Sequence, residues 1–583
     1  MLREVLLPLG VGIALCLASA GCQPEEWFRP KPAEETAATK PPPDIEGTVG
    51  EFASLVGGGS LLLDGHGLVV GLGKNGSSEV PPRLKKYLVE YMLKQRVGSA
   101  VAGTRGVTPS QMIADKDTAV VRLVAVVAPG APKGWPFDVR VTALSRTGTR
   151  DLDGGVLYPF PLFLATGEDT PPTSGARAWA RAGGSVFVNP FLDPNRPEDA
   201  PRLREGRLIG GGKVIQARPL RLVLRDPDYA RCNLIQRRVN QRFGGAGRVA
   251  NAKNPSNIEL TVPTGYLGNY SHFLQLVIHL PLQAGPGMWE ARAKEIADEM
   301  RKAGANHNGL ALVWEAMGGQ VVGVCRTLYT SKHLPVAFYS ARTGLRMRDE
   351  MAGEVLIRLA ETAGSPFQVA AIEELGDHGW LSRSIVPLRR LINDKSELVR
   401  IAAYESLVKL NDTSLVTRID VGGKFHLDLV TSQRNYVIYA TQSQEKKIVL
   451  FGRDMSVVKK LFFDIPDFIT IADKAEVKDG KPTGQVKLMV FRTIPRTGGI
   501  SEPFYIDFSV RALIETLGRP ARRDTAGRIE GLDLTYGQVV RVLYRMAEVD
   551  KDIPAKFALQ PPPGRERIYR GGATLGRPDM PGE

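Results

Sequence analysis

The sequence is poor in the residue types on which enzymes and metal sites most often depend. It contains only four cysteines and seven histidines in 583 residues, and 7% of it is aromatic. No C-x-x-C pair, H-E-x-x-H motif or G-x-S-x-G elbow occurs. Because no nucleophile, base and oxyanion donors can be grouped from these patterns, the sequence predicts no enzyme, no metal site and no cofactor. An envelope hydrolase would need a catalytic set that the sequence does not display.

Long apolar runs are absent beyond the N-terminus. Residues 1–21 contain one basic residue, Arg3, then an apolar stretch too short to span a bilayer, then small residues. This order predicts a secretory signal peptide. Gly21-Cys22 resembles the lipobox of bacterial lipoproteins, which predicts lipidation at Cys22, and Gln23 favours the outer membrane over the inner one. Ordinary cleavage nearby, with Cys22 unmodified, is the alternative.

Acidic residues are in deficit. The 76 Lys and Arg against 62 Asp and Glu give a net charge of +14. The cations are scattered and not interleaved with aromatic residues, so nucleic-acid binding is not predicted. A basic surface suits anionic lipid headgroups or peptidoglycan. Residues 22–48 and 561–583 are rich in proline and polar residues, which predicts a disordered tether and a disordered tail.

Two cysteines remain after the N-terminal segment, Cys232 and Cys325, and they fall in different predicted domains. A disulfide between them is compatible with an oxidising envelope, and two buried thiols are equally compatible.

Glycine is abundant by contrast, and five glycines fall within residues 64–76. Gly71-x-Gly73-x-x-Gly76 fits the G-x-G-x-x-G pattern of dinucleotide-binding loops, where a helix begins at the third glycine. Here Pro81-Pro82 delays the next helix to about Pro82, too far away for its N-terminus to hold a pyrophosphate. The segment is therefore predicted to be a glycine-rich turn between packed elements, with His66 as a turn residue rather than a ligand.

Residues 49–285 read mostly as short strands with a few helices. The predicted strands are 60–63, 119–128, 137–144, 156–160, 186–188, 212–215, 220–224 and 258–263. The predicted helices are 83–96, 229–243 and 270–280.

The order of these elements and several motifs resemble the flagellar P-ring protein family. The motifs that carry the resemblance are Asp64–Leu72, Phe137–Val141, Asp153–Leu157, Leu222–Tyr229 and Ile258–Pro263. Gly73-Lys74-Asn75-Gly76 departs from the family's G-T-G-D. The resemblance implies a P-ring-like mixed α/β region whose function is assembly rather than chemistry.

The resemblance also implies which residues serve assembly. Obligate assemblies bury large apolar interfaces, so the apolar members of these motifs are interface or core candidates. The candidate residues are Gly65, Gly67, Leu68, Val69, Val70, Gly71, Leu72, Gly154, Gly155, Pro227 and Asp228.

Residues 286–418 are predicted to be helical and repetitive. Ser340–Leu345, Ala370–Leu375 and Ala402–Leu407 align at a spacing of about 30 residues, which indicates a solenoid. The last unit resembles a HEAT repeat, with Asp394 and Arg400 at that family's Asp and Arg positions, where they tie neighbouring turns together. About three units are needed to bury their faces. A protein-binding surface and a rigid spacer are both compatible with the pattern.

Residues 419–560 return to strands and predict a C-terminal α+β domain with a mainly antiparallel sheet. The predicted strands are 425–430, 435–441, 447–451, 486–491 and 504–508, and the predicted helices are 510–517 and 536–548.

The sequence thus predicts an α+β chain with a P-ring-like region, a HEAT-like helical solenoid and a C-terminal α+β domain. Its predicted function is that of a structural subunit of the P ring, which surrounds the rod of the flagellar basal body, forms by self-association and enables motility. The predicted partners are other copies of the chain, rod and L-ring proteins, peptidoglycan as a further candidate, and a membrane through the lipid. The predicted location is the periplasm, anchored to the outer membrane. The alternative is an envelope scaffold or adaptor lipoprotein that uses the P-ring-like domain and the repeats to bind proteins.

Overall fold

The fold is known from a computed structural model. It describes residues 41–97, 107–165, 176–194, 196–245, 247–283, 285–442, 445–478, 481–494, 499–523 and 529–561. The predicted signal peptide, the lipidation candidate Cys22 and the predicted tail from residue 562 onward lie outside these ranges. Within them, no helix is both long enough and apolar enough to cross a membrane.

The first region contains ten strands and six helices within the described ranges up to residue 278. The strands are β1 (Ala53–Val56), β2 (Leu61–Val70), β3 (Thr118–Val127), β4 (Pro136–Ala143), β5 (Val156–Leu164), β6 (Ala180–Ser185), β7 (Glu205–Val214), β8 (Leu220–Leu224), β9 (Ala250–Asn254) and β10 (Asn257–Leu260). The helices are α1 (Val49–Phe52), α2 (Pro82–Lys94), α3 (Pro109–Ala114), α4 (Ala200–Leu203), α5 (Tyr229–Phe243) and α6 (Tyr270–Ile278).

Six of these strands close into a barrel in the order β2-β3-β4-β7-β6-β5. Every neighbouring pair is antiparallel. Alternation places buried apolar side chains inside, such as Val139, Val141 and Phe160, which have no exposed surface. Helix α2 contacts β2, and α3 contacts β3.

The other four strands form a separate sheet in the order β1-β8-β10-β9, with its own core. Strand β1 pairs antiparallel with β8, so that Ala53 lies opposite Leu224. The chain therefore leaves this sheet after β1, builds the whole barrel, and returns at β8. Helices α5 and α6 supply the apolar side chains that cover the sheet. The predicted region 49–285 thus contains two cores, because the barrel is inserted between two paired strands.

A helical segment follows. Its helices are α7 (Pro286–Met300), α8 (His307–Met317), α9 (Val322–Arg326), α10 (Leu334–Arg346), α11 (Glu350–Glu361), α12 (Gln368–Asp377), α13 (Ile385–Leu391) and α14 (Glu397–Lys409). Helix α10 packs on α11, α11 on α12, and α12 on α14. Their core continues into one face of the next sheet, through residues such as Val437, Val449 and Phe451.

The end of the predicted tether is packed against this segment. Asp44 and Thr48 are buried. The Asp44 carboxylate accepts a hydrogen bond of 3.0 Å from Asn306 Nδ2, and Arg292 Nη2 donates to the Pro43 carbonyl at 2.6 Å. The predicted disordered tether, residues 22–48, was therefore drawn too long at its C-terminal end. Polar residues there, which suggested disorder, form hydrogen bonds with the helical segment.

The C-terminal region has two sheets. Its strands are β11 (Val416–Val421), β12 (Phe425–Val430), β13 (Val437–Ala440), β14 (Lys447–Phe451), β15 (Phe462–Ile465), β16 (Ile469–Lys478), β17 (Lys481–Arg492), β18 (Phe504–Ile506) and β19 (Lys556–Leu559). Its helices are α15 (Val510–Gly518) and α16 (Tyr536–Tyr544). The sheet β15-β16-β17-β18 is antiparallel, whereas the sheet β11-β12-β14-β13-β19 is mixed, since β12 pairs parallel with β14 and β13 with β19.

Both cysteines beyond the N-terminal segment are free and buried. Of the two arrangements that the sequence allowed, the structure therefore has buried thiols. Burial raises the pKa of the Cys232 thiol, and Asp228 adds to that shift.

Candidate functional site

The glycine-rich segment is largely a strand, not a turn. Residues 64–70 continue β2, which pairs with β3 along its whole length. A Cβ atom on Gly65 would lie 2.7 Å from the Pro161 carbonyl oxygen, and one on Gly67 would lie 2.8 Å from Leu157 Cδ1. The prediction of a turn here was wrong, and His66 is likewise a buried strand residue. These glycines are needed because β5 packs too close to β2 for any side chain.

The turn begins only at Gly71, where φ is +83°, and it includes Gly73, where φ is +61°. The Leu72 amide donates to the Asp117 carbonyl at 2.9 Å, and the Gly73 amide donates to the Asp117 carboxylate at 2.6 Å. These amides are bound to the barrel's own loop, so they are not available to a phosphate. Helix α2 begins at Pro82, as the proline pair predicted.

The two glycine motifs of the resemblance meet in space. A Cβ atom on Gly155 would lie 2.4 Å from Val69 Cγ1 and 2.6 Å from Leu72 Cδ2. Leu68, Val69 and Leu72 are buried in the barrel core, whereas Val70 is half-buried. Within a single chain these apolar residues therefore stabilise the barrel.

The C-terminal region docks on this end of the barrel. Gly154 has a φ of +74°, and a Cβ atom on it would lie 2.5 Å from Gln538 Nε2 on α16. The Asp153 carboxylate accepts a hydrogen bond of 2.9 Å from Arg541 Nη1, and both side chains are less than 20% exposed. Burial, together with the neighbouring Asp153, raises the pKa of Asp151 from 3.8 to about 6.

Aromatic side chains extend the same contact. The ring centroids of Phe187 and Tyr536 are 5.8 Å apart, and those of Phe191 and Tyr544 are 4.6 Å apart. Lys446 Nζ donates to Ser185 Oγ at 3.0 Å. Ring pairs at these distances stabilise an interface beyond the area that they bury. The end of the barrel is thus fixed to the C-terminal region by packing, an ion pair and hydrogen bonds.

A groove of about 1090 Å³ opens beside this contact. Its lining includes the turn from Gly71 to Asn75 and the hairpin turn at residues 465–468. Lys74 and Asn75, where the family's motif is broken, therefore face a cavity that the C-terminal region helps to form. Arg150 and Arg204 also line the groove. It is the candidate surface for a partner at this end of the barrel.

Pro227 and Asp228 lie at the start of α5, beside the core of the β1-β8-β10-β9 sheet, where Pro227 is exposed and Asp228 half-buried. The Asp228 carboxylate caps α5 by accepting a hydrogen bond of 2.8 Å from the Ala230 amide. Aspartate at this position stabilises a helix by about 1 kcal/mol. The motif therefore sets the start of α5 and does not join the glycine-rich site.

Asp394 and Arg400 lie between the helical segment and the sheet after it. Asp394 accepts a hydrogen bond of 2.7 Å from the Ser396 amide. The buried Arg400 guanidinium donates to the Ile392 and Asn435 carbonyls at 3.2 and 2.9 Å. Arg400 thus joins α14 to the loop between β12 and β13, while Asp394 orders the turn before α14.

A buried ionic cluster, His272–Glu315–Arg346–Glu374, was missed in the sequence. Arg346 donates to the Glu315 carboxylate at 2.9 Å and to the Glu374 carboxylate at 2.7 and 3.1 Å. His272 Nε2 lies 2.5 Å from Glu315 Oε1, which links α6 to α8. Burial alone would raise the pKa of Glu315, but Arg346 and His272 hold it well below its usual range.

A weak signal for this cluster is present in the sequence. Glu315 and Arg346 are 31 residues apart, and Arg346 and Glu374 are 28 residues apart. The acidic, basic and acidic residues of the cluster therefore follow one another at about the 30-residue spacing of the predicted helical repeat. Among the described residues, no three His, Cys, Asp or Glu side chains are grouped as metal ligands would be.

Comparison with known proteins gives one family. The sequence model of the flagellar P-ring protein family matches residues 49–289. The flagellar P-ring protein of Paramagnetospirillum magneticum is 26% identical over 378 residues, which are 63% of this chain and 86% of that protein. The flagellar P-ring protein of Anaeromyxobacter dehalogenans is 29% identical over 343 residues, which are 56% of this chain and 82% of that protein.

A third relative, the flagellar P-ring protein of Thermotoga maritima, is 28% identical over 236 residues, which are 38% of this chain and 62% of that protein. The matched residues 49–289 are those that build the barrel and the sheet around its insertion. The family is a structural one and not an enzyme family. The resemblance that the sequence motifs predicted is therefore confirmed over this part of the chain.

Proposed function

We propose that this chain is a structural subunit of the flagellar P ring that assembles by self-association around the rod and enables motility. The observation that supports this most directly is the family match over residues 49–289, which coincides with the barrel and its companion sheet. The chain also covers 86% and 82% of the length of two of these relatives, so it contains most of what they contain.

The contacts between subunits are proposed to lie outside the buried part of the glycine motifs, beside the turn from Gly71 to Asn75. Leu68, Val69 and Leu72 are already buried within one chain, and Gly154 is covered by α16. The groove beside Lys74 and Asn75 stays open. We assign it as the surface at which a neighbouring copy or a rod protein contacts the barrel.

The helical segment is proposed to be a HEAT-like, rigid connector between the ring region and the C-terminal region. Two observations support rigidity over a free binding surface. The buried cluster ties α6 to α8, α10 and α12, and Arg400 ties α14 to the following sheet. A connector with both ends fixed in this way holds the two regions, which also contact each other directly, in one arrangement.

The periplasm is the proposed location, with a lipid on Cys22 that attaches the protein to the outer membrane. This rests on the sequence around Cys22 and on the family match, whose members are named for a ring of the flagellum. L-ring proteins and peptidoglycan are proposed as further neighbours. A Cys22→Ser variant should move from the membrane fraction to the soluble periplasmic fraction, whereas unchanged fractionation would count against the lipid.

Deletion of the gene is the direct test of the ring function. Swimming in soft agar should be lost, and electron micrographs of purified basal bodies should show rods without this ring. Complementation with the full chain should restore both, which separates the effect from damage to neighbouring genes. A deletion strain that swims and has normal basal bodies would exclude the proposal.

An envelope scaffold or adaptor is the second candidate. It is favoured by the extent of the chain beyond the family match, since residues 290–561 build a helical segment and two further sheets. Affinity purification of the tagged protein from envelopes distinguishes the two functions. Co-purification of rod and ring proteins supports the ring subunit, and recovery of other envelope proteins without them supports the scaffold.

A further inference from the structure

A cationic pocket lies where α5 meets the C-terminal end of α8. Its volume is about 540 Å³. The side chains that line it include Arg238, Gln241, Arg242, Trp289 and Gln320, and the backbone of Gly319 forms part of its wall. None of these residues takes part in the glycine-rich groove or in the buried ionic cluster.

Arg238 is a buried cation with neutral partners. Its side chain stacks on Trp289 at 4.8 Å from the ring centroid, donates to Gln241 Oε1 at 2.6 Å, and donates to the Pro281 carbonyl at 3.4 Å. Only 6% of Arg238 is exposed, and its hydrogen-bond acceptors among the described residues are an amide and a backbone carbonyl, with no carboxylate. A buried charge without a counter-ion is unfavourable, so this site favours an anion.

Arg242 lies one helical turn further along α5 and faces the same pocket. Its guanidinium donates to the Ala316 and Glu315 carbonyls at 2.9 and 3.0 Å. The Glu315 carboxylate is bound to Arg346 and His272 instead. The lining of the pocket therefore contains two guanidinium groups and no carboxylate.

The sequence around the pocket has the same charge bias. Residues 229–257 contain no Asp or Glu, and their cations are Arg231, Arg237, Arg238, Arg242, Arg248 and Lys253. Such a segment produces a positive potential that attracts anions from solution. Arg237 is exposed and does not line the pocket, so it adds to this potential without touching a bound ligand.

We propose that this pocket binds the carboxylate or phosphate group of a ligand through Arg238 and Arg242. The Nε and Nη2 atoms of both arginines already donate to backbone carbonyls, so the remaining Nη–H groups of the two guanidiniums would donate to the oxyanion. Arg238 and Arg242 belong to the region matched by the P-ring family, whereas Gly319 and Gln320 belong to the helical segment. A bound anion would therefore stabilise the junction between them, whether or not the chain forms a ring.

The test is calorimetric titration of the purified protein with citrate and, separately, with inorganic phosphate, in chloride buffer at about 0.1 M ionic strength, where exposed charges are screened over about 10 Å. We expect saturable binding of at least one probe and at least a tenfold loss of affinity in Arg238→Gln. The matched control is Arg237→Gln, which removes the same charge from the same helix outside the pocket. It should bind within about twofold of the parent protein, because Arg237 is exposed to the screening salt and does not line the pocket.

A second variant covers the case in which Arg238→Gln fails to fold. Gln320→Glu places a carboxylate on an exposed residue in the lining, and it should weaken binding severalfold while the protein stays folded. Binding of citrate alone identifies a carboxylate ligand, and binding of phosphate alone identifies a phosphate ligand. The proposal fails if neither probe saturates, if Arg237→Gln loses as much affinity as Arg238→Gln, or if Gln320→Glu binds as the parent protein does.

Discussion

At the scale of single residues, Gly155 shows why small residues are required at the end of the barrel. Its φ is ordinary, but an added Cβ would lie 2.4 Å from Val69 Cγ1 and 2.6 Å from Leu72 Cδ2. We expect Gly155→Ala to destabilise the barrel by about 1–3 kcal/mol, because a packed core cannot absorb an extra methyl group. Hydrogen exchange of the β2 amides measures this loss.

The control is Gly265→Ala, at a position where an added Cβ meets nothing within 4 Å. It should change the free energy of opening of the same β2 amides by no more than about 0.5 kcal/mol. Equal effects of the two substitutions would show that Gly155 is not constrained by Val69 and Leu72.

The pKa of Asp151 predicts how the stability of the folded protein depends on pH. Burial raises its pKa from 3.8 to about 6, so the folded protein holds this proton more tightly than the unfolded chain does. Ionised Asp151 therefore costs stability above pH 6, and that cost disappears as the pH falls to about 3.8. Asp151→Asn should raise stability at pH 8 by about 1–3 kcal/mol and have little effect near pH 4. Thermal unfolding at several pH values measures the difference.

The matched control for Asp151 is Asp298→Asn, which removes the same charge from a side chain that is 74% exposed. It should have a small effect that varies little with pH, because exposed ion pairs contribute little. Loss of stability in Asp151→Asn at every pH would mean that the charged carboxylate is needed at the barrel end.

At the scale of elements, the cluster of Glu315, Arg346 and Glu374 connects α8, α10 and α12. Arg346→Met would leave two buried carboxylates without their cation, and we expect a loss of about 3–5 kcal/mol. The triple variant Glu315→Gln, Arg346→Met, Glu374→Gln should recover only part of that loss, because it removes the two uncompensated carboxylates while the buried Arg342 beside them keeps its charge. Thermal unfolding followed by helical circular dichroism measures both.

The control for the cluster is an exposed ion pair elsewhere in the helical segment, between α11 and the turn before α13. Arg383 pairs with Glu350 at 3.1 Å, and both side chains are more than 60% exposed. Arg383→Met should cost less than about 1 kcal/mol. If Arg346→Met costs no more than Arg383→Met, the cluster does not hold the helices together.

Elements with strong local patterns were predictable from the sequence. Strand β8, helix α5 and strand β14 have the predicted bounds, since the alternation along β8, the Asp228 cap of α5 and the apolar run of β14 each act within a few residues. The strand predicted at 186–188 was wrong, because the pairing strand β6 lies earlier, at Ala180–Ser185. Strand β6 contains Gly183 and Gly184, which interrupt the alternation of apolar and polar residues by which a strand is predicted.

The glycine motifs show the limit of local patterns. Gly65 and Gly67 suggested a turn, yet they are in β2 because β5, about 90 residues later, passes close to them. The residues next to Gly65 and Gly67 in the sequence give no indication of that contact. The proline pair after Gly76 predicted the start of α2 correctly, because proline acts on its own backbone.

At the scale of the whole molecule, the hydrophobic cores cross the boundaries between the three regions predicted from the sequence. The core of the first sheet includes Leu312 and Ala316 of α8, and the C-terminal core includes Phe187 and Ile209 of the barrel region. The pairing of β1 with β8, which are separated in the sequence by the whole barrel, also cannot be predicted from a local pattern. The contacts that Gly154 and Asp153 make with α16 could therefore not be predicted from the sequence.

These shared cores predict how fragments of the protein behave. A fragment of residues 43–289 matches the P-ring family closely in extent, but it lacks α8 and so exposes the apolar face of α6. A fragment of residues 43–410 keeps α8 and the buried partners of His272. We expect the α5 and α6 amides to exchange at least tenfold faster in the shorter fragment, because their free energy of opening falls when apolar contacts are lost. Barrel amides far from α8 serve as the internal control, since both fragments expose the same barrel end. Equal protection of α6 in the two fragments would mean that the family-matched region is stable without the helices, and that the helical segment is an addition rather than a part of its core.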